Sequence, residues 1–163
     1  MNSQRVTLNP FFTLAIPFCL ALLATSNISL ISPLLIISLC ILKLNGFVSY
    51  NNIVIDELKK DYAKLHVDIT KNALNPSNIA HGGLIFGLAD TAMGTVAYTS
   101  GKKAITINSQ IDYLKPCKGK RITAIAEPLK VGRNVAVYRA RIYTDNDVLA
   151  ATVTGTFYFT TDL

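Results

Sequence analysis

The chain has 163 residues, a length that fits one domain with an appendage. It carries 16 lysines and arginines against 10 aspartates and glutamates, a formal net charge of +6. The basic residues are dispersed and show no helix-turn-helix or RNA-binding signature, so we expect no nucleic-acid partner. A modest basic excess suits phosphorylated small molecules or anionic lipid, and it suits ordinary solubility equally well. The three cysteines have no metal or redox spacing, which argues against a disulfide scaffold.

The first part of the chain is an apolar leader. Residues 6–42 contain no charged side chain and divide into two apolar runs, at positions 10–24 and 28–44. Each run is short for a hydrocarbon core about 30 Å thick. We therefore divide the chain into a leader, residues 1–45, and a folded domain, residues 46–163.

Several interpretations of the leader stay open. Pro17 and Pro33 would kink the two runs, which suits a membrane hairpin or anchor formed by residues 6–44. Basic residues on both flanks would then place the domain on the cytoplasmic face. A signal peptide would leave the second run unexplained. A buried helix between subunits or a mis-set start would also account for the leader, but we expect a cytoplasmic protein attached to a membrane.

Beyond the leader, short segments alternate apolar and polar residues. The period of two over residues 62–69 predicts a half-buried strand, and turn-forming residues separate it from its neighbours. In chain order we predict strands at 53–58 and 62–69, a helix at 84–98, and strands at 104–114, 121–131, 135–144 and 148–160. Because short turns favour antiparallel neighbours, this order predicts an α+β fold with one helix packed against one antiparallel sheet.

The predicted helix carries a single charge. Asp90 is the only charged residue between positions 84 and 98. A carboxylate in a largely buried helix costs several kcal/mol, roughly, unless it is hydrogen-bonded, hydrated or used. Its neighbours Gly87 and Gly94 lack side chains, so a ligand or another backbone can approach this face. Asp90 is therefore a candidate catalytic carboxylate, with a structural hydrogen bond to a backbone amide as the alternative.

The start of the same helix offers hydrogen-bond donors. Gly82 and Gly83 follow His81, and the free N–H groups at a helix N-terminus can stabilise an oxyanion. Glycine also lets a substrate carbonyl come close to the backbone. His81 could polarise that carbonyl or fix the loop. The glycine pair could, alternatively, only make a tight turn into the helix.

Three sequence segments of the domain carry a family resemblance. They read NPSNIAHGG from Asn75, LADTAMG around Asp90, and DYLKP from Asp112. Together they resemble the PaaI-type branch of the hotdog-fold acyl-CoA thioesterases, over about residues 51 to 159. The resemblance implies a hotdog fold, an antiparallel sheet wrapped around one long central helix. It also implies hydrolysis of acyl- or aryl-acyl-CoA to the free acid and CoA.

The resemblance implies catalytic roles for four residues. Asp90 would act as general base or nucleophile on a thioester whose oxyanion is held by Gly82 of the partner subunit. His81 would position the substrate or the loop. Asn75 would orient the water or the acid, although Asn-Pro is also a natural turn.

Four more residues are implied on the substrate side. Gly83 would contact the substrate beside Gly82. The strand period places Asn108 on the same face as Thr106, where the family carries a small polar residue that holds the water. Gly132 and Arg133 resemble a family turn near the nucleotide end of CoA, and a solvated charged rim is the alternative.

These observations lead to one expected function and one alternative. We expect an acyl-CoA thioesterase that acts as a homodimer or tetramer. The chain has no P-loop, dinucleotide fingerprint, HExxH or GxSxG motif, so no metal and no cofactor other than the CoA of the substrate is implied. The alternative is a non-catalytic acyl-CoA-binding or sensor module of the same fold, which would not depend on Asp90.

Overall fold

The structure, a computed structural model, describes Leu42 and residues 45–160. A short helix, α1 (Gly46–Tyr50), precedes strands β1 (Val54–Lys59) and β2 (Tyr62–Asp68). A 3-10 turn at Lys71–Ala73 leads to the long helix α2 (Gly82–Tyr98). Four strands complete the domain: β3 (Lys103–Tyr113), β4 (Arg121–Val131), β5 (Val135–Thr144) and β6 (Leu149–Thr160).

Most of the leader lies outside the described residues, so the membrane-hairpin, signal-peptide and mis-set-start interpretations stay predictions. Leu42, near the end of the second apolar run, is helical and buried in the domain core. Asn45 then caps α1, since its Oδ1 accepts a hydrogen bond of 2.9 Å from the Phe47 N–H. Within Leu42 and residues 45–160, no helix is long and apolar enough to cross a bilayer.

The predicted strands and central helix are all present, with ends that differ by at most two residues. The predicted turns contain residues that tolerate a left-handed backbone. Asp61, Asp147 and Gly119 have positive φ angles of 60°, 57° and 117°. The helix α1 was not predicted, because five residues are too few to show a helical period.

The strand order corrects the expectation that strands joined by short turns are neighbours in the sheet. The six antiparallel strands follow the order β1-β2-β4-β5-β6-β3, so β3 pairs with β6 and not with β4. The segment after β3 explains the difference, because it is held away from a hairpin path. The N–H groups of Leu114 and Lys115 both donate to the Ala150 carbonyl, and the Cys117 carbonyl accepts from the Ala80 N–H. The chain thus crosses at the start of α2 before it enters β4.

Helix α2 packs on the inner face of the sheet. Every residue from 84 to 98 is buried or half-buried, which confirms the prediction that this helix is covered on most of its faces. Tyr138 and Phe157 pack edge to face beneath it, with ring centroids 5.4 Å apart. Gly155 on β6 leaves room for Met93 of α2, because a Cβ at Gly155 would lie 2.9 Å from Met93 Cε and 3.0 Å from the Phe157 ring.

The close approach at Gly155 gives the first prediction. Gly155→Val forces two methyl groups between α2 and β6, and we expect the free energy of unfolding to fall by about 1–3 kcal/mol. Chemical denaturation followed by circular dichroism measures the change. Gly46→Ala is the matched control, since a Cβ at Gly46 meets no atom within 4 Å. Equal stability of Gly155→Val and wild type would contradict this account of the packing.

Candidate active site

Asp90 lies on α2 opposite β3. The Thr106 hydroxyl donates a hydrogen bond of 2.9 Å to Asp90 Oδ1. Burial raises the pKa of the Asp90 carboxyl above its usual range, and the Thr106 hydrogen bond opposes this rise. The carboxylate is therefore a stronger base than an exposed aspartate. It is also oriented, because one of its oxygens is fixed by β3.

A cavity of about 480 Å³ surrounds this carboxylate. Among the described residues that line it, Asp90 is the only charged one, and Gly87 and Gly94 lie on its wall as predicted. Apart from Asn45, the other lining side chains are apolar or hydroxylated: Leu42, Phe47, Phe86, Thr91, Thr95, Tyr98, Ala104, Thr106 and Phe157. The cavity thus combines an apolar wall with a single basic group.

His81 forms the N-cap of α2. Its Nδ1 accepts a hydrogen bond of 2.9 Å from the Gly83 N–H. Because Nδ1 is the acceptor, the proton of the neutral imidazole is on Nε2. The Gly83 N–H is therefore occupied, whereas no described group accepts from the Gly82 N–H. Of the two predicted glycines, Gly82 has the donor that is free for a substrate oxygen.

Tyr113 also holds the helix start, and sequence reasoning missed it. Its hydroxyl donates a hydrogen bond of 3.0 Å to the Gly82 carbonyl. A Cβ on Gly82 would lie only 2.8 Å from that hydroxyl oxygen, so a larger residue there would displace the Tyr113 hydroxyl. Tyr113 belongs to the DYLKP segment that carried the resemblance, and this was the signal that could have assigned it a role.

Asn75 lies beside the helix start, in the loop before it. Its Oδ1 accepts from the Ser77 N–H at 2.9 Å and from the Ile79 N–H at 3.3 Å, which is the turn role left open in the sequence. Asn75 also lines a second cavity, of about 620 Å³, together with His81 and Gly82. Its amide nitrogen has no hydrogen-bond partner among the described residues. The predicted role toward the water stays a prediction.

The two halves of the predicted site are apart within one chain. Eight residues separate Gly82 from Asp90 on one helix, which is about 12 Å along its axis. The two groups line different cavities, and only Gly83 lines both. One thioester carbonyl cannot contact both groups of the same chain.

The predicted orientation of Asn108 was wrong. Strand β3 has a bulge at Ile107, so Thr106 pairs with Phe157 while Asn108 pairs with Thr156. Phe157 is buried under α2 and Thr156 lies on the outer face of the sheet, so Thr106 and Asn108 face opposite sides. The extra residue shifts the period of two by one. The small polar residue that contacts Asp90 is therefore Thr106.

Gly132 and Arg133 lie at a third location. They form the turn between β4 and β5, where the Gly132 N–H donates to the Val135 carbonyl at 2.9 Å. The Arg133 carbonyl accepts from Lys102 Nζ at 3.0 Å, which places this turn near the C-terminal end of α2. Neither residue is among those that line the two cavities. Their predicted contact with CoA stays a prediction.

Comparison with known proteins assigns the chain to a family. Residues 77–151 match the family model of the thioesterase superfamily. A putative esterase from Archaeoglobus fulgidus is 35% identical over 103 residues, which are 63% of this chain and 67% of that protein. The acyl-coenzyme A thioesterase PaaI of Escherichia coli is 30% identical over 99 residues, 60% of this chain and 71% of that protein.

Solved structures show the same architecture. The structure of E. coli PaaI has a TM-score of 0.73 at 24% identity and covers 76% of this chain and 90% of its own. A Streptococcus mutans protein bound to acetyl CoA has a TM-score of 0.65 at 27% identity and covers 68% of this chain and 90% of its own. The fold is thus the hotdog fold of thioester hydrolases, as predicted. The chain belongs to the PaaI-like family of hotdog thioesterases.

The hydrogen bond from Tyr113 to the helix start gives a second prediction. Tyr113→Phe keeps the ring and removes the hydroxyl, so the Gly82 peptide loses one fixed contact. We expect kcat for thioester hydrolysis to fall about tenfold, with KM nearly unchanged. Tyr158→Phe, on the outer face of β6, is the control. A kcat equal to wild type in Tyr113→Phe would show that this hydroxyl does not position Gly82.

The Thr106 hydrogen bond gives a third prediction. It lowers the Asp90 pKa, so Thr106→Val raises that pKa further. If ionised Asp90 is the active form, activity falls as the pH drops through its pKa. The acid limb of the kcat/KM profile should therefore move to higher pH in Thr106→Val. Thr123→Val, on the outer face of β4, should leave the limb in place, and an unmoved limb in Thr106→Val would contradict the assignment.

Proposed function

We propose that this protein is an acyl-CoA thioesterase that hydrolyses acyl- or aryl-acyl-CoA to the free acid and CoA. The observation that carries the proposal is Asp90, a carboxylate with a raised pKa and the only charge among the described residues that line this cavity. Thr106 satisfies one of its oxygens, and a partly buried carboxylate of raised pKa beside a cavity is typical of a catalytic base. The activity in the name of the E. coli relative PaaI supports the substrate class.

The proposed reaction needs only water as co-reactant. Acting as general base, Asp90 takes a proton from a water molecule while the water oxygen attacks the thioester carbon. The oxyanion accepts a hydrogen bond from a Gly82 N–H, a contact worth about 3–4 kcal/mol in comparable oxyanion holes. The C–S bond then breaks, and the CoA thiolate takes up the proton. If Asp90 attacks directly, an acyl-carboxylate anhydride forms first and water hydrolyses it.

The proposed site includes two copies of the chain. Because Asp90 and Gly82 lie about 12 Å apart on one helix, the donor for the oxyanion comes from Gly82 of the partner subunit. Strand β3 supports this arrangement, since it is an edge strand and Ile105 and Ile107 on it are 42% and 55% exposed. Thr106 connects β3 to Asp90, so a partner paired at this edge lies beside the carboxylate. We propose a homodimer, with a tetramer as a pair of dimers.

The polar end of the substrate is proposed to lie on the helix-start side. Lys115 is the only lysine or arginine among the described residues that line the cavity with His81 and Gly82. A lysine at this mouth suits a phosphate of CoA. The Asp90 cavity, with its apolar wall, suits the acyl group.

A fourth prediction tests the role of Asp90. Asp90→Asn keeps an oxygen that can accept from Thr106 and removes the base, so we expect thiol release from acyl-CoA to fall by about a thousandfold or more. The assay is a thiol reagent with short, medium, long and aromatic acyl-CoAs. Asp112→Asn, on the outer face of β3, is the matched control. Wild type that binds these thioesters and hydrolyses none would leave the acyl-CoA-binding module as the function.

Subunit mixing tests whether the site is shared. Asp90→Asn and Gly82→Ala are each expected to be nearly inactive. When the two variants are unfolded together and refolded in equal amounts, half of the dimers are mixed and each mixed dimer has one intact site. We expect about a quarter of wild-type activity to return. No recovery, with dimers confirmed by light scattering, would place the whole site in one chain.

A further inference from the structure

The Phe47 ring of α1 lies against Gly87 of α2, in the space that a side chain at position 87 would fill. A Cβ built on Gly87 would lie 2.6 Å from Phe47 Cζ and 3.2 Å from Cε1. The ring therefore lies directly on the helix backbone, three residues before Asp90. Gly87 is the residue that makes this contact sterically allowed.

The ring separates two cavities. The Asp90 cavity, about 480 Å³, lies on one side of it. A third cavity, about 520 Å³, lies on the other side, between α1 and the end of β2. Val67 and Leu84 line it together with polar residues that include Asp68 and His81. Phe47 and Gly83 line both cavities. Removal of the ring would join the two spaces.

The segment that carries the ring is anchored, but the ring itself is not in the core. Val48 and Leu42 are buried in the core, and the Asn45 cap fixes the start of α1. Phe47 is 48% exposed. Its side chain can therefore change with little effect on the fold, while its position beside Asp90 is set by the neighbours.

We propose that Phe47 sets the acyl-chain length that this protein accepts, by closing the end of the acyl pocket. The proposal rests on the proposed function. An acyl chain is the fitting occupant because the pocket is continuous with Asp90 and has no other charge among the described lining residues. A chain longer than the Asp90 cavity meets the ring, and the third cavity adjoins the Asp90 cavity at that point.

The test measures kcat/KM for a series of short-, medium- and long-chain saturated acyl-CoAs with the full-length protein. Phe47→Ala should raise the ratio of long-chain to short-chain kcat/KM about tenfold or more. Phe47→Leu should give a smaller rise, and Phe47→Trp should lower the ratio. Leu129→Ala is the matched control, because Leu129 is exposed to a similar degree and lines none of the three cavities.

Gly87→Ala tests the contact itself. In the wild-type background the new methyl group displaces the Phe47 ring. The ratio of long-chain to short-chain kcat/KM should therefore change by about threefold or more. In the Phe47→Ala background the methyl group meets no ring, and the ratio should stay the same. Additive effects of the two substitutions would overturn the proposal.

The outcomes separate this proposal from the proposed function. Wild type that hydrolyses no acyl-CoA overturns both. Wild-type turnover, with folded Phe47→Ala and Phe47→Trp both at the wild-type ratio, overturns the role of Phe47 alone. Circular dichroism shows whether each variant is folded, and Phe47→Leu and Phe47→Trp keep the test decisive if Phe47→Ala does not fold.

Discussion

The structure depends on the way α2 is buried against the sheet with one carboxylate in its middle. Packing a helix on the inner face of a six-stranded sheet removes most of its surface from water, and Asp90 is half-buried with it. Thr106 supplies one hydrogen bond and the adjoining cavity supplies space for a second partner. The raised pKa is the direct consequence of this burial, so the packing that stabilises the fold also makes the carboxyl more basic.

The start of α2 also has polar groups that need hydrogen-bond partners. The first N–H groups of a helix have no partner within it, and here His81 accepts from Gly83 while no described group accepts from Gly82. Tyr113 fixes the same peptide from the other side through the Gly82 carbonyl. A donor that is held in place but has no partner is suited to bind an oxygen atom of a ligand. The cap therefore leaves the N–H of Gly82, and not that of Gly83, available to a ligand.

Local pattern predicted most of the fold but not the order of the strands. Alternation and turn residues located every long element, because both are properties of a few neighbouring residues. The position of β3 next to β6 depends on hydrogen bonds of Leu114 and Lys115 to Ala150, which join residues distant in sequence. The alternation of a strand, with its period of two, likewise does not reveal the bulge at Ile107. This bulge reversed the predicted orientation of Asn108.

The candidate site shows the same division between local and distant information. Asp90, His81 and Gly82 could be named from sequence because each is unusual for its own helix position. Phe47 could not, because its importance comes from a contact with Gly87 forty residues away.

That contact explains why a glycine occurs inside a buried helix, where it costs about 0.5–1 kcal/mol relative to alanine. Glycine at position 87 leaves the space that an aromatic ring beside Asp90 requires. The short α1 and the long α2 therefore form one wall of the Asp90 cavity together, with Phe47 of α1 packed on Gly87 of α2.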